Sequence, residues 1–196
     1  MSRAAFLDRD GTLNRKLPDD QYVTRWEQVQ FLPEVAKAIA LLNRAGFLVI
    51  VVSNQRCVAK GLIPVEDLEA IHRRMCAELA AEGARIDWVY YCPHEEYPRC
   101  SCRKPAPGML LAAGRTHKID LAASWMIGDS EVDVQAGRSA GCRTARVLTN
   151  GGSGTHQTDI SGSSLLEVVE KILRWDPALE SQCTNKAVCR EVAECR

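Results

Sequence analysis

Phe6-Leu7-Asp8-Arg9-Asp10-Gly11-Thr12 sets two carboxylates two positions apart, where an apolar run begun at Ala4 meets a glycine. In an extended strand residues i and i+2 project to the same side, so Asp8 and Asp10 are expected to face one another across a small space. Two carboxylates about 4 Å apart repel by roughly 4 kcal/mol at an effective dielectric near 20, so the pair needs a cation or a shared proton. Magnesium, with its preference for hard oxygen donors, answers that need. Taken alone, the same residues also describe a solvated Asp-Arg-Asp-Gly turn after a strand. The remainder of the chain decides between the two.

Outward from this segment, apolar runs recur at Phe47 to Val52, Ile86 to Tyr91, Trp125 to Ile127 and Thr144 to Leu148. They are short, often β-branched, and end at polar or glycine positions, as buried parallel strands do. Helical spacing separates them: Val35, Ile39 and Leu42 follow Pro33, while Leu68, Ile71, Met75 and Leu79 follow Pro64, with Gly46 and Gly83 placed as stops. Alternating elements of this kind predict an α/β fold, a doubly wound parallel sheet. Ligands of such sheets bind outside the carboxyl ends of the strands, and Asp8, Asp10, Ser53, Asn54 and Asp129 fall there. Asn150 to Ser164, rich in Gly, Ser and Thr, is expected to be a loop, and Leu165 to Leu173 a last helix of the same domain, 1–174. Residues 175–196 form a polar tail with Cys183, Cys189 and Cys195 spaced by six. Without histidine or paired spacing these thiols describe a frayed tail or short helix rather than a zinc site.

A chain of 196 residues with 46% hydrophobic content is long enough to bury a core. Lys plus Arg and Asp plus Glu both total 25, which leaves no net field to draw nucleic acid or an anionic membrane. No basic and apolar leader precedes Asp8 and no run reaches the length of a membrane span, so a cytoplasmic protein is expected. Nine cysteines, an odd number without an export signal, fit reduced thiols and a metal site better than disulfides. Cys57, Cys76 and Cys142 stand apart and read as packing residues or exposed thiols.

The metal reading centres on Cys92, His94, Cys100 and Cys102, four soft ligands within eleven residues. Three cysteines and one histidine complete a zinc tetrahedron and leave no open position, which describes a structural site; buried free thiols are the alternative. Closing this loop, 92–102, would stiffen the segment that ends in Arg103 and Lys104.

Asp8-Arg9-Asp10-Gly11-Thr12, Ser53-Asn54-Gln55, Lys104-Pro105 and Gly128-Asp129-Ser130-Glu131-Val132-Asp133 together resemble the motifs of the haloacid dehalogenase-like (HAD) phosphohydrolases. The resemblance implies that Asp8 is the nucleophile that takes a phosphoryl group, and that Asp10 protonates the leaving alkoxide and then activates water. It implies magnesium bound by Asp8, the main-chain carbonyl of Asp10 and Asp129, with Asp133 orienting Lys104 or the metal's waters. Ser53 can donate its hydroxyl to a phosphoryl oxygen, Asn54 and the amides after it can complete an anion cradle, and Lys104 offers a point charge. Bland readings exist for each: a strand-ending turn at Ser53, a solvated lysine, and an Asp133 favoured by the helix dipole.

The zinc loop, Val58-Ala59-Lys60-Gly61, Arg103-Lys104-Pro105 with Pro107-Gly108-Met109, and Ile119 to Ser124 narrow the likeness. Over residues 4 to 150, and on to 174, the chain is similar to the heptose 1,7-bisphosphate 7-phosphatases, which lack a large cap domain and act on a sugar bisphosphate. That resemblance makes Arg103 the partner of the second phosphate, and places Asp20, Gln21 and Tyr22 at the sugar, with Asn54, Gln55 and Arg56 also lining the substrate pocket. Arg56-Cys57 departs from the small residue and glycine usual there, and Ser130 stands where some members have lysine. A monomer is expected from the likeness. Histidinol-phosphate phosphatase is the nearest alternative, a nucleic-acid 3′-phosphatase would want a basic groove, and a silent sugar-phosphate-binding module would lack Asp8 or Asp10.

Overall fold

The computed structural model describes residues 1–97, 99–148 and 158–175, so the cysteines at 183, 189 and 195 lie outside the described residues. Six strands make one parallel sheet: β1 (Ala4–Leu7), β2 (Leu48–Asn54), β3 (Trp88–Cys92), β4 (Trp125–Gly128), β5 (Arg143–Val147) and β6 (Ile160–Gly162). Their order across the sheet is β3-β2-β1-β4-β5-β6. The five expected strands are present within two residues at each end. The sixth corrects the reading of Asn150 to Ser164 as loop: Ile160, Ser161 and Gly162 pair with Ala145, Arg146 and Val147. Three residues carry too little pattern to announce a strand, and an edge position needs only one partner to form.

Helices cover both faces: α1 (Val35–Arg44), α2 (Val65–Ala81), α3 (Gly108–His117), α4 (Glu131–Ala140) and α5 (Leu165–Trp175), the last two residues longer than its pattern indicated. On one face Ala5, Leu7, Val49, Val51 and Ile127 pack with Val35 and Ile39 of α1, Met75 and Leu79 of α2, and Val169 and Ile172 of α5. On the other, Ala4, Phe6, Ile50, Val52 and Met126 pack with Met109, Leu110 and Ala113 of α3 and Ala136 and Ala140 of α4. Strands buried on both faces lose the polar alternation of an exposed sheet, and β1 is accordingly Ala-Ala-Phe-Leu, buried at every position. Among the described residues no helix is long and apolar enough to cross a membrane.

The chain runs outward from β1 to β2 and β3, then returns to lay β4 on the opposite side of β1. The sheet therefore has its switch point between β1 and β4, where helices leave in opposite directions and a crevice opens above the strand ends.

Candidate active site

Asp8 is the first residue past β1, and its amide donates to the Ile127 carbonyl at 2.9 Å, which places it directly beside the end of β4. From there the chain turns sharply: the amides of Leu13 and Asn14 both donate to the Arg9 carbonyl, at 2.9 and 3.0 Å. Gly11 makes the turn possible. Its φ is +98°, and a Cβ there would run into the Asp129 carboxylate, so only glycine lets the two loops approach. Gly128 serves likewise, since a side chain would collide with the Asp133 carboxylate.

The strand stops at Leu7, and the charge of Asp10 is offset within the protein, first of all by the guanidinium of Arg9. Its carboxylate receives Arg9 Nε at 3.1 Å and Nη2 at 2.8 Å, Asn14 Nδ2 at 2.9 Å and Gln55 Nε2 at 3.0 Å. Burial pushes the Asp10 carboxyl up, but Arg9 and these two amides outweigh it and hold the group below its ordinary range. Arg9 is itself 1% exposed and meets His72 Nε2 at 3.2 Å. Burial, then the neighbouring guanidinium, pull His72 down to about 3, so it stays neutral and accepts from Arg9. Neither Arg9 nor His72 stood out in the sequence. An arginine between two aspartates reads as a solvated counter-charge, although a histidine at 72 on the apolar stripe of Leu68, Ile71 and Met75 is a usable sign of burial.

The acidic cluster forms instead from Asp8, Asp129 and Asp133, whose carboxylate oxygens lie within 4.8 Å of one another. Lys104 spans it, with Nζ 2.5 Å from Asp8 Oδ1, 2.6 Å from Asp133 Oδ1 and 2.8 Å from the Val52 carbonyl. Burial, reinforced by Asp133, Asp129 and Asp10, overrides the lysine and raises Asp8 to about 7. Burial and Asp133 also raise Asp129, against the exposed Lys16 ammonium 3.7 Å away. Burial pulls Lys104 down, but Asp133 and Asp8 together hold it above its ordinary range. The site thus carries more buried negative charge than one ammonium offsets, all of it on oxygen donors. That is the condition a magnesium ion relieves. Asp133 Oδ2 also accepts from the Ser130 amide and hydroxyl at the start of α4, which fixes the face it turns to Lys104.

Ser53, buried at the end of β2, accepts Gln55 Nε2 at 2.7 Å. Asn54 acts on the protein rather than facing the cavity alone: its Oδ1 and Nδ2 each bond the Lys104 main chain at 3.0 Å, a paired contact that anchors the lysine loop to β2. A third anchor comes from Arg146 of β5, whose Nε donates to the Asp129 carbonyl at 3.1 Å.

Cys92, His94, Cys100 and Cys102 converge as their spacing indicated. Cys102 Sγ lies 3.2 Å from Cys92 Sγ and 3.3 Å from Cys100 Sγ, and His94 Nδ1 lies 3.2 Å from Cys102 Sγ. These edges approach the roughly 3.8 Å of a tetrahedron built on 2.3 Å zinc–sulfur bonds. Burial pushes the Cys92 thiol up to about 12; at Cys100 burial acts the same way, but contacts from Cys102 and the Arg103 amide bring it down to about 6. The donor set fits zinc, and the loop it would close is fixed to the catalytic edge through Gln55 N–H donating to the Cys92 carbonyl at 2.7 Å. Substituting Cys100 by serine is expected to lower zinc below one ion per chain, read by elemental analysis, and to reduce kcat/KM about 10- to 100-fold by loosening Arg103 and Lys104. Full activity in a zinc-free protein would refute the positioning role.

Asp20, Gln21, Tyr22, Arg56, Glu96 and Arg103 line the same cavity as Asp8, Asp10, Ser53, Lys104 and Asp129, a space of about 350 Å³. The catalytic strand ends therefore form its floor, and the early loop and zinc loop its walls. With this geometry the relatives can be compared. A HAD-hydrolase-like family matches residues 101–171. A D-glycero-beta-D-manno-heptose-1,7-bisphosphate 7-phosphatase of Rhodopseudomonas palustris is 44% identical over 145 residues, spanning 70% of this chain and 79% of its own. The chain belongs to the heptose-1,7-bisphosphate 7-phosphatase family. A D-glycero-alpha-D-manno-heptose-1,7-bisphosphate 7-phosphatase of Mycobacterium tuberculosis is 37% identical, over 83% of this chain and 87% of its own. The crystal structure of D,D-heptose 1.7-bisphosphate phosphatase from B. bronchiseptica, complexed with magnesium and phosphate, superposes with a TM-score of 0.81 at 34% identity, covering 89% of this chain and 99% of that one.

Proposed function

We propose that this member of the family is a magnesium-dependent phosphomonoesterase that removes the 7-phosphate of D-glycero-D-manno-heptose 1,7-bisphosphate through an aspartyl phosphate. The observation that carries this reading is Asp8, buried at the switch point, held by Lys104 and flanked by Asp129 and Asp133. Asp8 Oδ attacks phosphorus and the ester oxygen leaves; Asp10 gives that oxygen its proton, then takes one from the water that cleaves the acyl phosphate. Asp10 is ionised in the resting site, ready as base, and the dianionic phosphoryl group arriving beside it raises its proton affinity for the first step. Arg9 keeps the Asp10 carboxylate in one orientation through both steps. Lys104, the Ser53 hydroxyl and the amides after Asn54 meet the phosphoryl oxygens, where charge concentrates in the transition state. Asp8, Asp129 and the Asp10 main-chain carbonyl would hold a magnesium ion, which would supply further positive charge at those oxygens, while Asp133 orients Lys104. Cys92, His94, Cys100 and Cys102 would hold zinc with no position left open, as a structural site does.

Arg103 faces the second phosphate, and Asp20, Gln21, Tyr22, Gln55 and Arg56 complete the sugar end of the cavity. The phosphatase domain runs to the end of α5 at Trp175, one residue past the boundary read from the sequence, and the protein acts as a cytoplasmic monomer on a small molecule, not on nucleic acid or membrane. Zero net charge supports the last point. Phosphate release in magnesium from both anomers of the heptose bisphosphate and from histidinol phosphate, at matched concentrations, tests the proposal. Preferred turnover of one heptose anomer is expected. Preference for histidinol phosphate would overturn the substrate, and binding without turnover would overturn the enzyme.

A further inference from the structure

Two guanidinium groups meet on one carboxylate at the cavity wall. Glu96 Oε1 lies 2.8 Å from Arg56 Nη1 and 3.5 Å from Arg103 Nη2. Both arginines are about four-fifths buried, at 20% and 19% side-chain exposure, whereas Glu96 is 55% exposed. Arg56 is also held from its other side: Nε and Nη2 donate to the Tyr22 hydroxyl at 3.1 and 2.9 Å, with Glu95 at 3.7 Å and Asp20 at 3.8 Å. Arg103 has a second hold of its own in the His94 carbonyl, 3.5 Å from Nη1. Both cations are thus fixed by contacts independent of Glu96, and would keep facing the cavity if it swung into solvent.

We propose that Glu96 is an internal stand-in for the substrate's second phosphate, neutralising Arg56 and Arg103 in the resting enzyme and giving way to that phosphate on binding. The inference rests on the reading that the substrate carries two phosphates. A phosphate dianion presents about twice the charge of a carboxylate and three acceptor oxygens to two forked donors, so it displaces a surface carboxylate that gains little from either bridge. A monophosphate has no group for that position and leaves Glu96 where it is. The competition therefore bears on bisphosphates alone and makes the early loop and zinc loop, which Arg56 ties together, sensitive to what occupies the cavity.

The test is Glu96→Gln, which keeps the shape and removes the charge. Magnesium-dependent kinetics are measured on D-glycero-D-manno-heptose 1,7-bisphosphate and on p-nitrophenyl phosphate. The KM for the bisphosphate is expected to fall about two- to fivefold with kcat unchanged, while both constants for p-nitrophenyl phosphate stay the same. An unchanged or raised KM for the bisphosphate would overturn the inference, as would an equal fall for both substrates. If the wild-type protein hydrolyses p-nitrophenyl phosphate but not the bisphosphate, the substrate reading itself fails, and this inference with it.

Discussion

Asp8→Asn is expected to lower kcat by at least about 10⁴-fold while leaving the protein folded. Among the described residues the neighbouring carboxylates are otherwise engaged: Asp10 by Arg9, Asn14 and Gln55, Asp133 by Lys104 and Ser130, and Asp129 lies 3.7 Å from the Lys16 ammonium. An amide oxygen cannot form the acyl phosphate, and phosphate monoesters are so slow to hydrolyse that no positioning alone replaces the nucleophile. Folding should survive because burial and the surrounding carboxylates outweigh Lys104 in setting the charge of Asp8. The sign of its pH effect follows from the same balance. A carboxyl raised from its ordinary 3.8 to about 7 favours the fold most below its unfolded value, and that advantage is lost as pH climbs through 7. Metal binding must displace the proton, so the rise in Tm on adding magnesium should be larger at pH 8 than at pH 6 in the wild type. In Asp8→Asn that pH dependence should flatten. A residual kcat within tenfold of wild type would sink the nucleophile assignment, and a magnesium effect independent of pH would sink the account of the acidic cluster.

How much of this was legible in the chain differs by physical cause. The parallel sheet was readable because strands buried on both faces leave continuous apolar runs, and the chemistry sits where those runs end. Asp8, Ser53 and Asp129 were found by that rule, and the cluster of Cys92, His94, Cys100 and Cys102 by its donor chemistry. Treating Asp8 and Asp10 as strand neighbours missed the partners of Asp10, because the strand ends at Leu7 and Gly11, directly after Asp10, marks a turn. Once the chain turns, Asp10 gathers its neighbour Arg9, Asn14 four residues on and the distant Gln55, and no local pattern announces the last of these. Asn54 illustrates the same limit: its residue type says that it makes hydrogen bonds, and only the fold says that they go to the Lys104 main chain. His72 and Arg9 are a long-range pair whose meaning depends on burial, and β6 is too short for any periodicity.

Lys104→Met is expected to damage both folding and catalysis, more than any surface lysine could. The side chain is 3% exposed and is the ammonium shared by Asp8 and Asp133, which are themselves buried. Methionine fills much of the same volume, so the loss reports charge rather than a cavity. Removing one partner of a buried ion pair leaves the other's desolvation unopposed, typically about 3–5 kcal/mol, which at this chain length lowers Tm by on the order of 10 °C. The carboxylates can retreat from that penalty by taking up protons, since Asp8 already titrates near 7 with the lysine present. The variant's deficit should therefore be greatest at pH 8 and shrink towards pH 5, and magnesium, which restores positive charge at the same oxygens, should recover part of it. Activity should not return with stability. The developing charge on the phosphoryl oxygens still lacks its preorganised donor, a loss of about 10²- to 10³-fold in kcat for groups of this kind. A Tm at pH 8 within 2 °C of wild type would mean that Asp8 and Asp133 do not share their charge through Lys104. An unchanged kcat would mean that the lysine holds the acidic cluster together without touching the phosphoryl group.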